Sequence, residues 1–155
     1  MLYLDASVLM KRYFTEKGSR ALNYRFERGE TMYTSVLSFG EVHSALARIY
    51  RMKEMSSAEL TRLREAFESD WLFGLGALEL NLQAMASLPK LVEQYPLKAG
   101  DAIHLSTALW LKDTIRLRMH GAHAGEPLEF GVADRSLGLI AEKCGFKVFN
   151  PEDED

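Results

Sequence analysis

Short apolar runs alternate with longer stretches of helical period along the whole 155-residue chain, and few folds accommodate that alternation. Residues 1–4 are wholly apolar, as a strand buried on both faces of a parallel sheet must be. Strand-like runs recur at 32–35, 75–80, 128–133 and 146–149. Helical period is read between them at 7–14, 19–28 and 37–51, then from the capping-box pair Ser56 and Glu59 to Trp71. It resumes through Tyr95, at 102–111, and at 135–144, where Gly145 marks a stop. On the 37–51 segment Phe39, Val42, Leu46 and Ile49 form one apolar face. The pattern predicts an α/β fold with a mainly parallel central sheet flanked by helices. No repeat or Pro/Gly-rich boundary divides it, so residues 1–150 read as one domain and 151–155 as an acidic tail.

The bulk properties narrow the class. With 47% apolar and 26% charged residues, the composition is that of a globular domain. A single cysteine, Cys144, allows no internal disulfide and reads as a small buried residue. The N-terminus lacks the basic and apolar regions of a signal peptide, and no run reaches the roughly 18 apolar residues of a membrane span. A cytoplasmic protein with no membrane partner is the expectation. The net charge of −3 is concentrated at the C-terminus, where Glu152-Asp153-Glu154-Asp155 reads as a solvated, frayed end. Without those four acids the chain carries +1. Setting aside four further carboxylates as metal ligands would leave +5, which suits a polyanionic partner.

Those four are Asp5, Glu41, Asp101 and Asp134. Asp5 ends the first predicted strand and Asp134 the fourth, and open parallel sheets bind ligands beyond the carboxyl ends of their strands. Asp101 begins a predicted helix, and Glu41 lies in the first turns of another. Each aspartate also fits an N-cap. Glu41 does not, and it has no basic residue three or four positions away, so a helical ion pair is closed to it. A cation from solution is the expected partner. Clustered carboxylates stay ionised together when a divalent ion neutralises them, and oxygen-only donors favour Mg²⁺ or Mn²⁺ over Zn²⁺. Such a bowl suits phosphodiester hydrolysis without a protein nucleophile. The chain has no G-x-S-x-G elbow and no Gly-rich phosphate loop.

The ordered motifs resemble the PIN-domain family. Asp5-Ala6-Ser7-Val8-Leu9 is similar to its opening motif, and Thr34-Ser35-Val36-Leu37-Ser38-Phe39-Gly40-Glu41-Val42 to its second. Lys98-Ala99-Gly100-Asp101-Ala102-Ile103-His104-Leu105 resembles the third, and Val132-Ala133-Asp134-Arg135-Ser136-Leu137 the fourth. The resemblance implies a PIN fold and metal-dependent RNA cleavage, and the compact size looks like the VapC-type toxin branch. By that resemblance Asp5, Glu41, Asp101 and Asp134 bind Mg²⁺ or Mn²⁺ directly or through water. Ser7 would support the site by hydrogen bonding, with Ser38 as a further candidate. An RNA substrate, a small cognate antitoxin and a homodimer follow as expected partners.

The segment 112–127 is longer than the resemblance leads one to expect. Lys112, Arg116, Arg118, His120 and His123 there fit either a basic flap over RNA or a tolerated surface insertion. Lys98, Arg116, Arg118 and Arg135 are the candidates for phosphate contact. His104, one turn after Asp101, fits a supporting role or a histidine satisfied in a helix. Tyr50, Met52, Met55, Trp71 and Phe73 are either core or a docking surface. A housekeeping RNA-processing enzyme, a DNA nuclease and a non-catalytic binding module on the same fold remain alternatives. A phospho-receiver needs an acceptor aspartate at the end of the third strand, where this chain has Glu79.

Overall fold

The computed structural model describes residues 1–118 and 127–154, apart from the side chain of Arg118. Five strands form one sheet: β1 (Leu2–Leu4), β2 (Met32–Ser35), β3 (Leu75–Leu78), β4 (Glu129–Gly131) and β5 (Lys147–Phe149). Their order is β3-β2-β1-β4-β5, and every neighbouring pair is parallel. The helices are α1 (Ala6–Met10), α2 (Ser19–Glu27), α3 (Leu37–Arg51), α4 (Ser57–Phe73), α5 (Leu88–Gln94), α6 (Ala99–Arg118) and α7 (Arg135–Lys143).

Alternation along β1 explains the layering. Leu2 and Leu4 face a core with Val42 and Leu46 of α3 and Leu63 and Phe67 of α4, while Tyr3 faces Leu105, Phe130 and Ile140 on the other side. All three β1 residues are completely buried, as predicted for a strand covered on both faces. The chain steps outward from β1 to β2 and β3, then returns to lay β4 against the free side of β1. The order therefore reverses at the carboxyl end of β1, the place where open sheets form a ligand crevice.

Several local expectations hold. Val42 and Leu46 are buried on α3, Ser56 caps α4 through the Glu59 amide, and Gly145 stops the chain after α7 with φ of +80°. Other readings need correction. The helix expected at 102–111 runs from Ala99 to Arg118, because Leu111 and Ile115 carry its apolar face one turn further. The segment 112–127 thus begins as helix, where the Lys112 amine donates to the Gly145 carbonyl and lies over the Phe146 ring. His120 and His123 fall outside the described residues.

The acidic tail is not frayed where it is described. Pro151–Asp153 forms a 3-10 turn whose buried Pro151 sits against Gly18. Glu152 pairs with the buried Lys11 at 2.7 Å, and Asp153 lies 3.5 Å from Arg135. A buried ammonium requires an anion, and the tail supplies the nearer of two, Glu16 lying 3.7 Å away. Gly18 is required at its position twice over: its φ is +89°, and a Cβ there would meet Pro151 at 3.0 Å.

Among the residues weighed as core or docking surface, Met55 is buried and Trp71 packs at a tilt against Phe67 and Phe39. Tyr50, Met52 and Phe73 are exposed, the last at 87%. Cys144 is half-buried, and burial pushes its thiol up despite the nearby Lys112. No helix among the described residues is long and apolar enough to cross a membrane.

Candidate active site

Asp5 follows β1 directly and is held by two short-range donors. The Val8 amide donates to its Oδ1 at 2.9 Å, and the Ser7 hydroxyl reaches Oδ1 at 2.8 Å and Oδ2 at 3.1 Å. The residue is therefore the N-cap of α1, yet it is only 6% exposed. Burial pushes its carboxyl above the ordinary range, and Asp101 adds to the rise. His104, the Val8 amide and the Ser7 hydroxyl pull in the other direction. Capping and ligand binding are not exclusive here, since a carboxylate has more lone pairs than these donors use.

Asp101 is not a cap. It lies in the first turn of α6, which begins two residues earlier, and there a negative charge is favoured by the helix dipole. Among the described residues its carboxylate has no hydrogen-bond or ion-pair partner.

Glu41 has a hydrogen-bond partner that its own helix does not supply. Across the crevice His104 Nε2 lies 2.8 Å from Glu41 Oε2. The other ring nitrogen, Nδ1, lies 3.0 Å from the hydroxyl of the fully buried Tyr3. Gly100 makes room for this contact, because a Cβ there would meet Glu41 Oε1 at 3.2 Å. Gly100→Ala is therefore expected to push the carboxylate off His104 while folding stability changes by about 0.5 kcal/mol or less, since alanine suits a helix. Imidazole ¹⁵N shifts of His104, with a thermal melt, check this. Unchanged shifts would mean that Glu41 has slack to absorb the methyl group.

Asp134 stands apart from these three. It is the N-cap of α7, and one oxygen accepts from the Ser136 and Leu137 amides at 2.7 and 3.0 Å. It lines a groove with Val132, Gly138 and Asn150 that holds none of the other three acids. It lies three residues beyond the end of β4, so the sequence reading placed it too close to the strand.

Ser38 reaches no carboxylate. It is buried, 2.7 Å from the Thr34 hydroxyl, which in turn donates to the Leu4 carbonyl at 2.8 Å. With the Thr34 proton committed to Leu4, Ser38 is the donor to Thr34, and the pair locks the start of α3 onto β1. Lys98 and Arg116 are exposed, and Arg135 points to Asp153.

Among the described residues no three His, Cys, Asp or Glu side chains converge closely enough to hold a metal ion by themselves. A six-coordinate Mg²⁺ does not demand that, because it keeps several waters and commonly takes one or two carboxylates. The donor chemistry fits a hard cation. Asp5 is a buried carboxylate facing a second acid, and no Lys or Arg pairs with Asp5, Glu41, Asp101 or Asp134 among the described residues. The residue that sequence reasoning undervalued is His104. Its spacing from Asp101 was visible, but its two partners lie 63 and 101 residues away.

The chain and its fold are similar to known proteins. Two ribonucleases of Mycobacterium tuberculosis, VapC45 of strain CDC 1551 / Oshkosh and VapC49 of strain ATCC 25618 / H37Rv, are each 29% identical over 131 residues. Each alignment covers 80% of this chain and 90% of the relative. The fold resembles FitAcB from Neisseria gonorrhoeae with a TM-score of 0.68 and 17% identity, covering 97% of this chain and 98% of that one. It also resembles a toxin–antitoxin complex from Klebsiella pneumoniae, with a TM-score of 0.60 and 16% identity over 97% and 98% of the two chains. The PIN domain matches residues 2–115, which takes in Asp5, Glu41 and Asp101, and the chain belongs to the PIN-domain family.

Proposed function

We propose that this chain is a Mg²⁺- or Mn²⁺-dependent endoribonuclease and the toxin of a toxin–antitoxin pair. The observation that carries the reading is Asp5: a buried carboxylate, its pKa raised by burial and by Asp101, that two neutral donors orient and that no Lys or Arg among the described residues pairs with. Asp5, Glu41 and Asp101 would hold the ion, with Asp134 at the edge of the site contributing through water. When bound, the ion would supply an activated water and neutralise charge on the scissile phosphate. The chain's own part is positional. Ser7 and the Val8 amide fix the Asp5 oxygens, the helix N-terminus favours the Asp101 charge, and the bond from His104 restrains Glu41.

The ribonuclease relatives support RNA as substrate, and the likeness to toxin–antitoxin complexes supports a protein antitoxin as partner. A homodimer and a cytoplasmic location belong to the same reading. The test is single-turnover cleavage of mixed RNA and of DNA by the partner-free chain, in Mg²⁺, Mn²⁺ or EDTA, beside Asp101→Asn. RNA cleavage that needs the metal and disappears in the variant is expected. Cleavage of DNA alone would remove the ribonuclease reading, and no cleavage of either by folded protein would leave a binding module.

A further inference from the structure

We propose that His104 is a positioning residue for the acidic site, fixing the Glu41 carboxylate while Tyr3 fixes the imidazole; this rests on the reading of Glu41 as a metal ligand. The geometry constrains the protons. An ionised carboxylate only accepts, so His104 Nε2 must carry the hydrogen across its 2.8 Å contact with Glu41. That leaves Nδ1 to accept the Tyr3 hydroxyl at 3.0 Å in the neutral ring.

Each link is rigid at its far end. Tyr3 sits on the central strand, fully buried, with its ring stacked on Phe130 at 5.5 Å and 8° between planes. Its edge meets the His104 ring at 6.0 Å. The imidazole itself is 4% exposed, whereas Glu41 is 36% exposed and would sample many rotamers if nothing held it. The chain from β1 through α6 to α3 thus ties an otherwise mobile carboxylate to the stiffest part of the sheet. Hydrogen bonds behind a metal-ligating group orient it, and losing one typically weakens metal affinity about tenfold to a hundredfold.

The experiment is calorimetric titration of the full chain with Mn²⁺, comparing wild type with His104→Leu, His104→Gln, Tyr3→Phe and Glu41→Gln, each after a thermal melt without metal. His104→Leu, which has no donor, should bind Mn²⁺ about tenfold more weakly or worse. His104→Gln should restore most of that, because its amide can occupy the Nε2 position and donate to Glu41. Tyr3→Phe should show a smaller loss. Folded His104→Leu with wild-type affinity would overturn the proposal and return His104 to a packing role. Should that variant fail to fold, Tyr3→Phe decides, since it removes only a hydroxyl; unchanged affinity there overturns the proposal equally. Wild-type binding that survives in Glu41→Gln overturns this inference and leaves the metal site standing on the aspartates. Absence of Mn²⁺ binding by the wild type would overturn both.

Discussion

Asp5→Asn is expected to lower RNA cleavage by at least about 10²- to 10³-fold, the range lost when one preorganised electrostatic group leaves an active site. The fold should survive. The asparagine carbonyl can still accept from the Val8 amide and the Ser7 hydroxyl, so the cap of α1 is kept and only the charge is removed. Stability should even favour the variant without metal. Burial raises the folded-state pKa of Asp5 above its unfolded value. The carboxyl therefore contributes stability below the unfolded pKa, and that contribution is lost as pH rises through the folded one. Above the folded-state pKa the ionised group is a burden that asparagine does not carry. Melting curves in EDTA should place the variant level with or above wild type, and Mn²⁺ should raise the wild-type midpoint by more than the variant's. A variant that cleaves normally, or melts far lower in EDTA, would remove Asp5 from the site.

The second large effect is structural. Phe67→Ala should cost about 3–5 kcal/mol, the usual range for deleting a buried aromatic ring. For a chain of this length that corresponds to a fall of roughly 6–20 °C in the melting midpoint. Phe67 is fully buried on α4, with ring contacts to Tyr13 at 5.6 Å, His43 at 5.4 Å, and Phe39 and Trp71 at 5.7 Å each. Those partners lie after α1, on α3 and on α4, so one side chain joins three segments. Because α3 carries Glu41, loosening this cluster should also reduce cleavage at temperatures where the variant is still folded. Leu139→Ala on α7, where the side chain is 60% exposed, provides the control and should change stability by about 0.5 kcal/mol or less. A comparable loss from both substitutions would mean that the α3–α4 aromatic cluster carries no special share of the stability.

What could be read from the sequence was what physics encodes over short distances. Apolar alternation located all five strands within a few residues, and capping chemistry located Asp5, Ser56 and Asp134, because each acts through a backbone amide two or three residues away. Parallel pairing followed from strands separated by helices. Asp5 and Asp134 are the caps that their positions suggested, but the sequence could not rank capping against ligand binding. The capping alternative for Asp101 does not hold, because α6 begins two residues earlier, at Ala99.

The tertiary structure decided the rest. Lys11 takes its counter-ion from Glu152 at the opposite end of the chain, which turns a supposedly free tail into a docked turn. Ser38 spends its hydroxyl on Thr34 and leaves the carboxylates alone. Glu41 has no basic residue three or four positions away on its own helix, and only the assembled fold brings it His104 of α6, backed by Tyr3 of β1. Periodicity and capping are settled within one or two turns, so they are written locally. Which side chains meet across a sheet depends on strand order and on which face each residue takes, and those are properties of the assembled fold.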